Sequence, residues 1–153
     1  NAPMHSGTEV DLQTAALIPE DYLPDIHARL VLYKRISSTE SKDDLRELKI
    51  EMIDRFGLLP EQVKVLFSIT ELKQQADKIG IKKIDVYSEG GRVLFNADPK
   101  LNMQQLLILI QTQAQIYKFE GGNKLRFTQK FATTDEKIDF VSTLLAQLTD
   151  DDL

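Results

Sequence analysis

The chain contains no cysteine and only two histidines among its 153 residues. Without cysteine there can be no disulfide, thiolate nucleophile or cysteine-ligated zinc, and the composition is compatible with a reducing compartment. A histidine metal site or a Ser-His-Asp triad would have to use His27, because His5 lies close to the start of the chain. We interpret His27 as a surface or boundary residue of a helix, so neither kind of site is predicted.

Long apolar runs and phosphate-binding loops are also missing. The longest apolar run, Leu106–Ile110, is far shorter than the roughly 18 to 20 residues that a membrane span needs. The chain does not open with the basic and apolar pattern of a signal peptide, and it has no GxxxxGK[ST] loop. The sequence therefore predicts no membrane contact, no bound cofactor and no catalytic activity in this chain, and a cytoplasmic location.

The charge balance is acidic, with a formal net charge of -5. Duplex DNA is a poor match for such a chain, because Lys and Arg normally neutralise the phosphates. Basic pairs such as Lys82-Lys83 could contact nucleic acid, but a solvated strand face is the preferred interpretation. Carboxylate pairs are too numerous for their spacing to identify a catalytic dyad. A basic partner fits the composition better than an acidic one.

The domain limits are predicted from composition and periodicity. Residues 1–18 are expected to form a tail or linker, or a short extended segment, 19–149 a single domain, and 150–153 a polar tail. Asn1 and Ala2, which precede Met4, are interpreted as residues left by cloning. This interpretation would make the chain a piece of a larger protein.

Helical periodicity predicts four helices before residue 114, over 24–37, 40–56, 60–79 and 99–113. Gly57 is placed to end the second of them. A last helix is predicted to begin after Thr133, because Thr133 and Glu136 have the spacing of a capping box.

Two glycine pairs mark predicted β-hairpins. Apolar and polar residues alternate on both sides of the segments EGGR, at 89–92, and EGGN, at 120–123. Both pairs are predicted to be turn residues with positive φ. The fold class is therefore predicted to be α+β: a helical N-terminal half followed by two β-hairpins that form an antiparallel sheet, with helices packed on it.

The second predicted helix carries acidic residues along one side. At about 100° per residue, its core side consists of Leu45, Leu48, Met52 and Phe56, with Ile53 at the margin. Five carboxylates, here called the acidic stripe, lie away from that side: Glu40, Asp44, Glu47, Glu51 and Asp54. Like charges three or four residues apart repel each other on a helix. For Glu51 and Asp54, the negative end of the helix dipole adds to this penalty.

The acidic stripe admits two interpretations. Glu51 could pair with Arg55 four residues later while Asp54 faces water, as on an ordinary solvated helix. Alternatively, the stripe could be a docking face for Lys or Arg of another domain, where a partly buried ion pair would supply specificity. Periodicity alone favours the solvated helix.

Three segments resemble a known family: LIPEDYLPDIHARLVLYKRISS, LRELKIEMIDRFGLLPEQVKVL and KQQADKIGIKKIDV. They are similar to the C-terminal domain of the bacterial transcription-repair coupling factor, Mfd. The resemblance runs from about residue 17 to the last helix and weakens beyond about residue 97. The block IDRFGLLP, with YKRI upstream of it, carries most of its specificity.

The resemblance implies a regulatory role in nucleotide excision repair. The whole protein of this family is an ATP-driven DNA translocase that acts on stalled RNA polymerase and recruits UvrA, and its motor domains use ATP and Mg. The C-terminal domain docks on an N-terminal UvrB-like module and covers the UvrA-binding surface. Aligned on IDRFG, the docking carboxylates of the family match Glu51 and Asp54, and Glu47 is assigned to the same face. The isolated domain is expected to be monomeric. A free-standing protein-binding or nucleic-acid accessory module is the alternative.

Overall fold

A computed structural model describes residues 7–150. The predicted cloning residues Asn1 and Ala2, together with His5 and 151–153, lie outside the described residues. The chain divides into two compact units. One spans Ala15–Gln74, and the other combines the residues up to Thr14 with those from Gln75 onward.

The unit Ala15–Gln74 is helical. It contains α1 (Ile26–Ser37), α2 (Lys42–Phe56) and most of α3 (Glu61–Lys78). Each predicted helix is present to within two residues at either end. Asp25 and Ser41 cap α1 and α2 by accepting bonds from backbone N–H groups in the first turn.

Gly57 ends α2, as predicted. Its φ of 99° is one that side-chain-bearing residues rarely adopt, and its N–H donates to the Ile53 carbonyl at 2.9 Å. The core beneath these helices consists of apolar side chains from all three, from the segment before α1 and from the loop between α2 and α3: Ile18, Leu23, Leu32, Ile36, Leu45, Leu48, Met52, Leu59, Val63 and Phe67.

The other unit is built on a five-stranded sheet in the order β1-β2-β3-β5-β4. Its strands are β1 (Glu9–Asp11), β2 (Ile81–Tyr87), β3 (Gly90–Phe95), β4 (Tyr117–Glu120) and β5 (Lys124–Thr128). The two predicted hairpins, β2-β3 and β4-β5, join through antiparallel pairing of β3 with β5. The α+β prediction, with both hairpins in one sheet, is confirmed.

The strand β1 lies within 1–18, where the sequence predicts a tail or a short extended segment. It pairs in parallel with β2, so the sheet is mixed rather than antiparallel. Leu12, just after β1, is buried. This part of the chain is therefore an extended strand of the sheet and not a tail. Three residues are too few to show a period, and only pairing with β2 makes them a strand.

Two further helices, α4 (Met103–Thr112) and α5 (Thr134–Leu148), complete this unit. α4 begins four residues later than the predicted 99, because the side chain of Asn102 caps it by accepting from the Gln105 N–H. The predicted Thr133 cap of α5 is confirmed: the Thr133 hydroxyl accepts from the Glu136 N–H at 3.1 Å. The Glu136 carboxylate accepts in turn from the Ala132 N–H.

The aromatic side chain of Phe140 joins α5 to the sheet. Its ring lies 4.8 Å from that of Phe127, 5.3 Å from that of Phe131 and 6.1 Å from that of Tyr117, measured between centroids. These spacings are those of favourable aromatic pairs. Phe140 therefore packs within its own unit.

The two glycine pairs have different roles, which corrects the prediction that both are turn residues. Gly121 and Gly122 do lie in the β4-β5 turn, with φ of 64° and 82°. In the first hairpin, however, the turn is Ser88-Glu89, and Gly90 and Gly91 belong to β3. A Cβ at Gly91 would meet the Asp85 carbonyl oxygen and the Phe127 ring. Close approach, not turn geometry, therefore requires glycine at position 91.

Candidate functional site: the acidic face of the second helix

The orientation of α2 is fixed by its buried side. Leu45, Leu48 and Met52 are buried, and Met52 has no exposed surface at all. Phe56 is half-buried and packs edge-to-face on Tyr22, with ring centroids 6.2 Å apart. The predicted core side is therefore confirmed, and the acidic side chains lie on the remaining surface of the helix.

The first two members of the acidic stripe serve the start of the helix. Glu40 precedes α2, and its backbone N–H donates to the Asp44 carboxylate at 3.2 Å. Asp44 lies in the first turn, where the positive end of the helix dipole stabilises a negative charge. Local structure accounts for both residues, so neither points to a partner.

Glu51 is held by two arginines. Arg35 of α1 donates from both terminal nitrogens to the two carboxylate oxygens, each at 2.7 Å, and Arg55 donates at 3.0 Å. In this bidentate ion pair, the planar guanidinium of Arg35 matches the planar carboxylate of Glu51. The hydrogen bonds from Arg35 and then from Arg55 lower the pKa of Glu51 from 4.5 to about 2.

The predicted pairing of Glu51 with Arg55 is thus confirmed, but the more closely bound partner, Arg35, was missed. Arg35 is 16 residues away on another helix. Periodicity within α2 contains no signal for a contact of that kind. Because two cations surround one anion, Glu51 no longer represents uncompensated negative charge at this end of the helix.

Glu47 and Asp54 differ from Glu51 in having no cation beside them. Both are exposed, and neither forms an ion pair with any residue of 7–150. Ile50 and Ile53 between them are 58% and 37% exposed. The outward face of α2 therefore combines two unpaired carboxylates with two exposed apolar side chains.

Beyond the end of α2, Leu58 is 85% exposed. Two shallow depressions occur in the same unit, of about 210 and 160 Å³. The first lies beside Tyr22 and Pro60, and the second beside Lys49 and Phe67. Over the described residues, no three His, Cys, Asp or Glu side chains are grouped as metal ligands would be. Within the same range, none of the helices has both the length and the apolarity that a membrane span requires.

The pKa of Glu51 gives a test of its pairing. Because the folded-state pKa lies below the ordinary value of 4.5, ionised Glu51 stabilises the fold above about pH 4.5, and this contribution is lost as the pH falls towards about 2. We expect Glu51→Gln to be less stable than the wild type at neutral pH, and the difference should shrink as the pH falls towards about 2. Urea midpoints measured across this range test the expectation.

Asp54→Asn is the matched control, because Asp54 has no ion-pair partner among the described residues. Its urea midpoint should differ little from that of the wild type at any pH. A stability difference for Glu51→Gln that persists unchanged down to pH 2 would show that the two arginines do not stabilise the fold through the charge of Glu51.

Comparison with known proteins connects this structure to one family. The family model described as "TRCF domain" matches residues 12–106. The chain is 39% identical over 141 residues to the transcription-repair-coupling factor of Escherichia coli K12, covering 92% of this chain and 12% of that protein. It is 40% identical over 137 residues to the transcription-repair-coupling factor of Haemophilus influenzae, covering 90% of this chain and 12% of that protein.

A solved structure has the same fold. The crystal structure of the C-terminal domain of transcription-repair coupling factor superposes with a TM-score of 0.68 and 24% identity, covering 93% of this chain and 94% of that one. The chain thus spans about an eighth of the length of the curated relatives and nearly the whole of the solved domain. By family model and sequence identity, the chain belongs to the transcription-repair coupling factor family, and it has the fold of the solved C-terminal domain.

Proposed function

We propose that this chain is an autoinhibitory docking domain. In the parent protein it binds an N-terminal UvrB-like module through the face of α2 that carries Glu47, Glu51 and Asp54. Docking masks the surface that binds UvrA and restrains the ATP-dependent DNA translocase used in transcription-coupled nucleotide excision repair. RNA polymerase, UvrA and DNA are the partners of the parent protein, and ATP with Mg acts in its motor domains.

One observation supports this function most directly: Asp54, near the C-terminal end of α2, is an exposed carboxylate that forms no ion pair with any of the residues 7–150. The negative end of the helix dipole disfavours an anion there. A Lys or Arg of another surface would compensate that charge. Apolar contact with Ile50 and Ile53, which are exposed beside it, would add to the attraction.

The length of the relatives supports an intramolecular partner. The chain covers only 12% of the Escherichia coli transcription-repair-coupling factor, so a docking surface can lie elsewhere in the same polypeptide. A tether raises the effective concentration of the two surfaces to roughly the millimolar range, so a weak contact suffices to keep them associated. Weak docking also permits release when the parent protein engages its other partners.

The function is tested by charge reversal in the full-length parent protein. Glu51→Lys combined with Asp54→Lys places cations against the basic residues of the module. Like-charge contacts at an interface cost several kcal/mol, so we expect UvrA capture to rise at least about tenfold and basal ATPase activity to increase. Surface-immobilised UvrA gives the binding measurement. Unchanged capture would refute the proposed function.

Asp98→Lys combined with Asp139→Lys provides the matched control. Both residues are exposed carboxylates of the sheet-containing unit, and their reversal changes the net charge by the same amount. This variant should capture UvrA as weakly as the wild type does. Reversing basic residues of the UvrB-like module to Glu should restore repression in the Glu51→Lys, Asp54→Lys protein.

A further inference from the structure

The two edges of the sheet differ in character. β1 and β4 are the outer strands. β1 carries exposed carboxylates at Glu9 and Asp11, which would face each other if this strand paired antiparallel with a copy of itself about Val10. Like charges on an edge strand oppose edge-to-edge association. On β4, by contrast, the exposed side chains are one cation, Lys118, and one aromatic ring, Phe119.

The backbone of β4 is open on the side that faces away from β5. Beside this strand, the Thr128 N–H donates to the Ile116 carbonyl at 2.8 Å. Hydrogen-bonded pairs alternate in an antiparallel ladder, so Lys118 and Glu120 also bond to β5, whereas the N–H and C=O of Phe119 point to the open edge. Among residues 7–150, no backbone group beyond the sheet pairs with Phe119. A further strand could bond there.

The charge of Lys118 is not neutralised within one copy of the chain. Lys118 is exposed, forms no ion pair with any of the residues 7–150, and faces Arg126 across the strand pair. Like charges directly opposite each other destabilise a strand pair. A carboxylate on a further strand beside β4 would neutralise Lys118.

α4, which packs against β4, adds apolar surface to this part of the unit. The stretch 101–117 contains no charged residue, in a chain in which 28% of the residues are charged. On α4 itself, Met103, Leu107 and Ile108 are 53%, 52% and 40% exposed, and Phe119 of β4 is 36% exposed. Neighbouring apolar side chains that remain exposed are typical of an interaction surface.

We infer that β4 and the exposed side of α4 form a self-association surface, on which a second copy of this chain docks by antiparallel pairing of β4 with β4. The paired strands would join two five-stranded sheets into one across a two-fold axis. The surface lies in the sheet-containing unit, whereas the proposed docking face lies on α2, so each can be tested without the other.

The sequence of β4 is complementary to itself in one register. With Phe119 on the two-fold axis, its N–H and C=O bond to those of its copy. Lys118 of each copy then lies directly opposite Glu120 of the other, in pairs whose side chains come closest. A register in which Lys118 faced its own copy would oppose like charges. This match in both charge and apolar character favours a second copy over a strand from a different protein.

The first test measures association of this chain by sedimentation velocity. Because β4 has only four residues, the contact is small and the dimer is weak, so we expect it to form between about 10 µM and about 1 mM. Dimer formation in this range would replace the expectation that the isolated domain is monomeric. A chain that stays monomeric at about 1 mM would overturn the inference and favour a different protein as the occupant.

Amide hydrogen exchange tests strand pairing within the dimer. The Phe119 N–H should exchange at least about fivefold more slowly at the upper end of this concentration range than at the lower end, because it becomes hydrogen-bonded only in the dimer. A dimer in which the exchange of Phe119 does not slow would refute pairing through β4.

Charge substitutions test the register. Lys118→Glu places two carboxylates opposite each other at both ends of the paired strands, so the dissociation constant should rise at least about tenfold. Lys130→Glu, an exposed residue of the same unit, is the matched control and should leave the dissociation constant unchanged. Equal effects of the two substitutions would refute the Lys118-Glu120 contact.

The charge swap provides a rescue. Lys118→Glu combined with Glu120→Lys restores opposite charges between the copies, and the glutamate introduced at position 118 faces Arg126 within each copy. Association should return to within about threefold of the wild type. If the swapped variant associates no better than Lys118→Glu while circular dichroism shows it to be folded, the register is wrong.

The contribution of α4 is tested by Leu107→Glu. A charge on the exposed side of α4 should weaken association at least about tenfold, because it would be desolvated between the two copies. Leu30→Glu is the matched control: Leu30 is 60% exposed on α1, in the other unit, and its substitution should have no effect on association. Unchanged association of Leu107→Glu would refute the assignment of α4 to the surface.

Discussion

Replacing Gly91 by alanine should destabilise the sheet-containing unit by about 3 kcal/mol or more. A Cβ at this position would overlap the Asp85 carbonyl oxygen and come within 2.5 Å of Cζ of Phe127. Neither group can move easily: Asp85 is paired in β2, and the Phe127 side chain is only 1% exposed. Chemical denaturation followed by circular dichroism measures the loss.

Gly122→Ala is the matched control for this substitution. Gly122 also stands in a glycine pair, but it lies in a turn with φ of 82°, and no atom lies within 4 Å of the position of its Cβ. Its replacement should cost only the roughly 1–2 kcal/mol of placing a side-chain-bearing residue in the left-handed region. Equal losses for the two variants would contradict close packing as the reason for glycine at position 91.

Replacing Met52 by alanine should destabilise the helical unit by about 2–5 kcal/mol. Met52 is fully buried in the core of this unit, on the side of α2 that faces away from the exposed isoleucines. Removing its thioether leaves a cavity, because the surrounding leucines cannot relax fully into the space. Urea unfolding gives the change in free energy.

Ile50→Ala is the comparison on the same helix. Ile50 is 58% exposed, so its truncation should change the free energy of unfolding by no more than about 0.5 kcal/mol. Comparable destabilisation by Met52→Ala and Ile50→Ala would mean that α2 is oriented differently. The same Ile50 truncation should weaken docking in the parent protein, which separates the packing side of α2 from its binding side.

Most of the helical unit was predictable because its signals are local. The terminating Gly57, for example, acts within one turn of the helix that it bounds. The buried side of α2 follows from helical period alone, because side chains three and four residues apart share a face. Such features need no knowledge of distant residues.

The two glycine pairs show where local signals fail. EGGR and EGGN look alike in the sequence, and both stand beside alternating strands. One pair forms a turn, whereas the other lies inside β3, where the ring of Phe127 on a neighbouring strand leaves no room for a Cβ at position 91. The identity of that neighbour depends on strand order, which short patterns do not encode.

Sequence patterns predicted only part of the candidate site, because one of its contacts joins residues that lie far apart in the chain. The spacing of the carboxylates along the sequence identified Glu47, Glu51 and Asp54 as neighbours on one helix. The family resemblance implied a role for them in docking. Neither argument could distinguish Glu51 from the other two. Only the packing of α1 beside α2 brings Arg35 within 2.7 Å of Glu51.

By itself, the sequence determined what depends on neighbours along the chain: the helices, the Thr133 cap, the terminating Gly57, the two hairpins and the acidic face of α2. The tertiary structure decided what depends on residues far apart in sequence, which is the parallel strand β1, the close approach at Gly91 and the partner of Glu51. The physical reason is the sequence separation over which each interaction acts. Helical period and capping act over a few residues, whereas strand pairing and the Arg35-Glu51 contact exist only after distant segments have packed together.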